Sequence, residues 1–256
     1  MSALHKRIWL TGASSGIGHA LAECLLQQGH HLALSARREE PLQALAERYP
    51  KQVLVLPGDL SDSEQVNTIA VQLQERWGRL DCAILNAGTC EYIDASHFEA
   101  DMVDRVVRTN LSSASHCIAA ALPLLRQSKS GHLVGVASAV TYVPLPRAGA
   151  YGASKAALRY LLESLRVDLA HESIAVTVVS PGFVDTPLTE RNDFPMPMRW
   201  SAEKAARHIA KRLHARPLEI AFPGPFIAAL SLLAALPARL QLALGRRLAR
   251  TDKDAP

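Results

Sequence analysis

Tyr151-Gly152-Ala153-Ser154-Lys155 sets a phenol and an ammonium four residues apart, which on a helix means one face. A free phenol titrates at about 10, so giving and taking a proton near neutral pH requires a lower value. A neighbouring ammonium favours the phenolate, and a bound pyridinium would act the same way. Ser138 stands thirteen positions earlier, at the end of an apolar run, and the Pro-containing stretch 139–150 is short enough to return beside it. There its hydroxyl would hold a carbonyl oxygen, with an ordinary turn serine as the competing reading. Asn110 is polar among Val106, Val107 and Leu111 in a helical pattern, where asparagine is locally disfavoured, which points to a task other than helix formation.

A second chemistry lies near the start of the chain. Thr11-Gly12-Ala13-Ser14-Ser15-Gly16-Ile17-Gly18 follows the first apolar run and precedes a helical pattern. Its glycines permit torsions and close approaches that a Cβ would block, and the helix opening there aims free N–H groups and a positive dipole end at an anion such as a pyrophosphate. The spacing is G-x-x-x-G-x-G, not the general G-x-G-x-x-G, so a tight turn without a ligand competes. The second apolar run ends Leu34-Ser35-Ala36-Arg37-Arg38, with no acidic residue to hold a ribose 2′-hydroxyl. Arg37, with Arg38 beside it, instead offers a charged planar fork for a 2′-phosphate, against the reading of two solvated arginines. In Gly58-Asp59-Leu60, Asp59 would meet an adenine amino group or cap a helix beginning near Ser61.

The elements that must carry these groups alternate. Short apolar runs at 8–10, 32–34, 53–56, 83–85, 133–136 and 175–179 read as strands buried on both faces. Helical patterns over 18–28, 41–49, 64–77, 102–126 and 151–169 separate them. Strictly alternating strands and helices predict an α/β fold: a Rossmann-type, doubly wound parallel sheet with helices on both faces, whose ligands sit at the carboxyl ends of the strands. A chain of 256 residues, 48% hydrophobic, buries one large core. We expect a dinucleotide-binding and catalytic domain over 1–217. A C-terminal helical extension over 218–256 would pack on or beside it, with 219–222 as a last edge strand. The net charge of +4 comes partly from the last residues and forms no aromatic-interleaved stripe, so no nucleic-acid partner is expected. Cys24, Cys82, Cys90 and Cys117 show no metal-ligand spacing and read as reduced packing residues, and no metal is expected. The N-terminal residues leave no room for a signal peptide, which predicts a cytoplasmic protein.

Motif by motif and in the same chain order, residues 6 to 190 resemble the short-chain dehydrogenase/reductase family. The resemblance implies that Thr11 to Gly18 carries the cofactor pyrophosphate and that Asn86-Ala87-Gly88 stabilises the sheet beside it. It also sets Pro181-Gly182, with Thr186 following, against the nicotinamide. The family's catalytic Asn, Ser, Tyr and Lys fall on Asn110, Ser138, Tyr151 and Lys155. By that resemblance Tyr151 would protonate the nascent alkoxide, Ser138 would orient the carbonyl, and Lys155 would bind the nicotinamide ribose and lower the tyrosine pKa. Asn110 would hold a water linking Lys155 to solvent. Members that prefer NADP(H) often carry a basic residue where this chain has Ser15, so the expectation of NADP(H) over NAD(H) rests on Arg37.

The walls of the substrate pocket are expected from 140–146 and 183–200, including Val143, Leu145, Phe183, Leu188, Phe194, Met196, Met198 and Trp200. They point to an apolar carbonyl or alcohol substrate or to plain core packing. The apolar run 226–236 is too short to span a bilayer. After Pro237, Leu240, Leu244 and Leu248 share one helical face while Arg239, Arg246 and Arg250 gather on another. A homodimer or homotetramer contact, self-packing, and peripheral membrane contact through 226–250 all account for that pattern.

Overall fold

A computed structural model describes residues 5–248 except 191 and 193, with the side chains of 247 and 248 also outside the description. Seven parallel strands form the central sheet: β1 (Arg7–Thr11), β2 (His31–Ser35), β3 (Val53–Val55), β4 (Cys82–Leu85), β5 (His132–Val136), β6 (Ala175–Pro181) and β9 (Glu219–Phe222). Their order is β3-β2-β1-β4-β5-β6-β9, so the winding reverses between β1 and β4. A small parallel pair, β7 (Val184–Asp185) and β8 (Trp200–Ser201), stands apart from it.

Alternation along each strand sorts the core into two layers. Ile8, Leu10, Leu32, Leu34, Val134 and Val136 face one way, against α1 (Gly16–Gln27), α2 (Glu40–Arg48) and α7 (Ala202–Leu213). Trp9, Ala33, Ala83 and Leu133 face the other, against α3 (Ser63–Trp77), α5 (Ser113–Arg126) and α6 (Gly149–Asp168). Period-two side chains in strands covered on both faces produce this division. The strand readings therefore hold, and 219–222 pairs in parallel with β6 as the seventh strand.

The expected single helix over 102–126 is instead α4 (Ala100–Val107), a wider π turn over Arg108–Ser112, and α5. Asn110 sits in that turn, fully buried. A π turn is a recurrent accommodation at functional sites, and here it coincides with an asparagine bonded across to other segments. The expected capping of α3 by Asp59 also shifts. Asp62 is its N-cap and accepts from the backbone N–H groups of Glu64 and Gln65. Asp59 instead closes a turn, accepting from the Ser61 backbone N–H at 2.9 Å and hydroxyl at 2.7 Å. Near the C-terminus α8 (Gly224–Ala234) and α9 (Ala238–Leu248) follow one another across a short turn.

Candidate active site

One cavity of about 680 Å³ opens at the carboxyl ends of β1, β2, β4, β5 and β6. It is lined at one end by Gly12, Ser14, Ser15, Gly16, Ile17, Arg37, Arg38, Asp59 and Leu60. Asn86, Ala87, Gly88, Ser138, Tyr151, Lys155, Pro181, Gly182 and Thr186 line the rest. Two predicted residues are not on its wall: Gly18 lies behind the phosphate turn and Asn110 behind Gly88 and Thr89.

The glycine turn is a backbone device. Gly12 has φ +67°, and a Cβ there would lie 2.8 Å from the Ala87 backbone; a Cβ on Gly18 would lie 2.1 Å from the Gly12 carbonyl oxygen. Only hydrogen fits at either place, so α1 begins close against the end of β1 with its first N–H groups facing the cavity. Asn86 fastens the arrangement, its amide donating to the carbonyls of Thr11 (3.2 Å) and Gly12 (3.1 Å). Arg38 donates to the Ser14 carbonyl at 3.2 Å and so braces the turn. Arg37 is exposed at the end of β2, and its charge helps hold the Asp59 carboxyl low, after the larger effect of the Ser61 hydrogen bonds. The cradle, the exposed guanidinium and the adjoining acceptor are suited to a dinucleotide.

At the other end, α6 presents Tyr151 and Lys155 one turn apart. Lys155 is buried, its ammonium donates to the Val136 carbonyl at 2.8 Å, and burial pulls its pKa down to about 8. Burial pushes the Tyr151 phenol up to about 12, against a hydrogen bond with Ser138 that acts the other way. Desolvation of the phenolate outweighs that hydrogen bond. Ser138 stands two residues beyond β5 as the cap of a short 3₁₀ turn, its Oγ accepting from the Val140 N–H at 3.2 Å. Asn110 is saturated on its donor side: it donates to the Thr89 carbonyl and the Ser154 hydroxyl, each at 2.9 Å, and accepts from the Thr89 N–H at 2.7 Å. It thereby ties the segment after β4 to α6 between Tyr151 and Lys155.

Several site residues escape the sequence reading. Cys90 and Tyr92 sit two and four residues past Gly88, a spacing that is the available signal for them. Cys90 lies within electrostatic reach of Tyr151 and Lys155, and Tyr92 within reach of Tyr151; burial raises the pKa of Cys90 and of Tyr92. From Tyr92 a row of rings leads away: Tyr92 to Phe194 at 5.6 Å, Phe194 to Phe183 at 6.0 Å, Phe183 to Phe226 at 5.5 Å. The Tyr92 hydroxyl donates to Asn192 at 2.6 Å. Of the expected wall residues Leu188 lines the cavity, while Phe183 and Phe194 stand in the ring row off the cavity's lining and Trp200 turns away from it. It stacks on Phe222 at 5.0 Å and meets His208 at 5.2 Å, because pairing of β8 with β7 turns it toward α7. Met198, 53% exposed, faces solvent.

A half-buried carboxylate binds the site's elements together. Glu219, at the start of β9, accepts from Arg159 (2.6 and 3.1 Å), Ser180 (2.6 Å) and Tyr142 (2.8 Å). Arg159 lies one turn beyond Lys155, Ser180 just before Pro181, and Tyr142 four residues after Ser138.

With this geometry, the chain belongs to the short-chain dehydrogenase family of oxidoreductases: the model of that family, "short chain dehydrogenase", matches residues 6–195. An uncharacterised oxidoreductase of Myxococcus xanthus is 36% identical over 247 residues, covering 95% of this chain and 98% of that one. A short-chain dehydrogenase from Streptomyces avermitilis superposes with a TM-score of 0.80 at 25% identity, covering 95% and 97% of the two chains. The NADP active-site complex of Pseudomonas aeruginosa RhlG gives 0.80 at 28% identity, covering 88% of this chain and 98% of that one.

Proposed function

We propose that this protein interconverts a ketone or aldehyde and the corresponding alcohol with NADP(H), acting on an apolar substrate. The observation that carries the reading is the meeting, in one cavity, of the glycine cradle and Arg37 with Ser138, Tyr151 and Lys155. A bound nicotinamide supplies or accepts the hydride. The chain's own groups do the rest: Tyr151 moves the proton at the substrate oxygen, and Ser138, hydrogen-bonded to the phenol, holds that oxygen. Lys155 is a cation next to the phenol and favours its ionised form, while its buried ammonium is placed to meet the nicotinamide ribose. Asn110 positions this pair through Thr89 and Ser154.

NADP(H) over NAD(H) is supported by Arg37 and by Ala36 at the end of β2, where an acidic ribose clamp would otherwise stand. The NADP complex of the related RhlG protein points the same way. An apolar substrate is supported by the row of rings from Tyr92 to Phe226. Exposed Tyr160 and Val167 on α6 support self-association as a homodimer or homotetramer. The test is loss of NADPH absorbance with a panel of apolar ketones and quinones, run in parallel with NADH. NADPH-dependent turnover of at least one ketone is expected. Tight NADPH binding with no turnover of any would instead make this a cofactor-binding protein without catalysis.

A further inference from the structure

The α8 and α9 helices leave apolar surface uncovered. Of α8 only Leu230 is buried, while Leu232 is 73% exposed; on α9, Leu240 and Leu242 are 52% and 57% exposed and Leu244 38%. The self-packed core expected for this region is therefore confined to α8's inner side. Gln241 donates to the carbonyls of Ala234 and Leu236, which closes the turn between the two helices. Leu248 and Arg250, part of the expected facial pattern, lie outside the described side chains. Exposed apolar patches on a monomer mark a partner.

Charge identifies that partner. Between Glu219 and Asp252 the sequence holds four arginines (239, 246, 247 and 250) and no acidic residue or lysine. Arg239 and Arg246 are exposed on the helix that carries Leu240 and Leu244. A second copy of these two helices, docked by a two-fold axis, would set arginine against arginine with no carboxylate on either helix to answer it. No described helix is long and apolar enough to cross a membrane. Leucines beside arginines with no acidic group match a surface of anionic headgroups over an acyl boundary, where arginine stems lie along apolar surface and their heads reach phosphate.

We propose that the α8–α9 segment docks this protein on an anionic lipid bilayer. The segment also starts at the active site: Phe226, in the first turn of α8, packs on Phe183 beside Pro181-Gly182. A docked molecule therefore holds its row of rings next to the bilayer surface. If the oxidoreductase reading above holds, an apolar carbonyl compound partitioned in the membrane is the substrate class that this placement serves.

The test is sedimentation of the full-length protein with vesicles of phosphatidylcholine alone and of phosphatidylcholine with phosphatidylglycerol. Two variants accompany it: Leu232→Ser/Leu240→Ser/Leu244→Ser and Arg239→Gln/Arg246→Gln. All five side chains are exposed, so folding is retained, and an unchanged NADPH titration verifies it. We expect recovery with phosphatidylglycerol vesicles that weakens as salt rises. Each arginine contributes about five-fold to partitioning, so the double variant loses roughly 25-fold, and the triple leucine variant no longer sediments. Recovery with neither vesicle, equal recovery with both, or full recovery of the triple variant overturns the proposal. So does a fall in the solution mass of the triple variant without vesicle binding by the parent, which would assign the face to a second copy. Turnover of a water-soluble ketone without vesicles is measured separately. Its absence with vesicle binding intact removes the oxidoreductase reading and leaves the docking surface standing.

Discussion

Replacing Glu219 with glutamine removes one charge from the junction that joins β9 to three parts of the site. Its side chain is 28% exposed and that of Arg159 23%, so the pair is only partly screened. Breaking a buried pair from one side costs about 3 to 5 kcal/mol. Here Arg159 keeps its bond to Glu163, and glutamine keeps one acceptor oxygen, so we expect about 2 to 3 kcal/mol, below that range. For a chain of this size that lowers Tm by roughly 4 to 12 °C. The effect has a sign in pH. Burial raises the Glu219 pKa, but hydrogen bonds from Arg159, Ser180 and Tyr142 outweigh it and the net value is lowered. A depressed carboxyl contributes stability that is complete above its unfolded pKa of about 4.3 and is lost as pH falls through the folded value. The gap in Tm between parent and Glu219→Gln, read by circular dichroism, is therefore full at neutral pH and closes in acid below about 4.3. Because Tyr142, Ser180 and Arg159 border Ser138, Pro181 and Lys155, kcat should fall as well. A variant that melts with the parent at neutral pH, or a gap that persists undiminished in acid, would refute the reasoning.

Other perturbations probe the two ends of the cavity. Arg37→Ala should cost roughly 1.5 to 3 kcal/mol of binding to the 2′-phosphate, about ten- to a hundred-fold in kcat/KM with NADPH, and Ala36→Asp should shift the preference toward NADH; equal use of both coenzymes by the parent sinks this. Tyr151→Phe keeps the ring and removes the transferable proton, so NADPH titrates normally while turnover drops by about 10² to 10⁴, and near-parental turnover would move the chemistry elsewhere. Gly18→Ala forces a methyl against the Gly12 carbonyl oxygen, an overpacking of backbone on backbone that costs about 1 to 3 kcal/mol or more; Tm and NADPH affinity should fall together, and unchanged affinity would show that the turn does not hold the nucleotide.

What the sequence makes legible is what local pattern determines. The six apolar runs became strands because doubly covered parallel strands leave an unbroken apolar signature, and the glycine turn was visible because spacing alone records where a Cβ is forbidden. Tyr151 and Lys155 could be paired because the helix period fixes their face. The π turn at Asn110 was not legible, since it answers bonds to Thr89 and Ser154 that come from distant segments. Trp200 has the composition of a pocket wall, yet its direction is set by β8 pairing with β7, which two residues of sequence do not announce. Phe226 and Glu219 lie far along the chain from the catalytic residues, and only the β6–β9 pairing brings them near.

That pairing sets an order of events in the making of the protein. The Gly182 N–H donates to the Phe222 carbonyl at 2.7 Å, and Glu219 gathers Tyr142, Ser180 and Arg159. Synthesis runs from the N-terminus, and a domain generally folds as a unit. The glycine cradle, with the Asn86 and Ala87 that pack on it, is complete in sequence by residue 87. The segments around Ser138, Lys155 and Pro181 acquire their common brace only when residues 219–222 have left the ribosome. A nascent chain stalled short of Glu219 would hold the phosphate turn and all four of Asn110, Ser138, Tyr151 and Lys155, but lack the strand that keeps the last three in register. Catalytic competence would therefore wait on residues in about the last sixth of the sequence, well beyond every side chain that performs the chemistry.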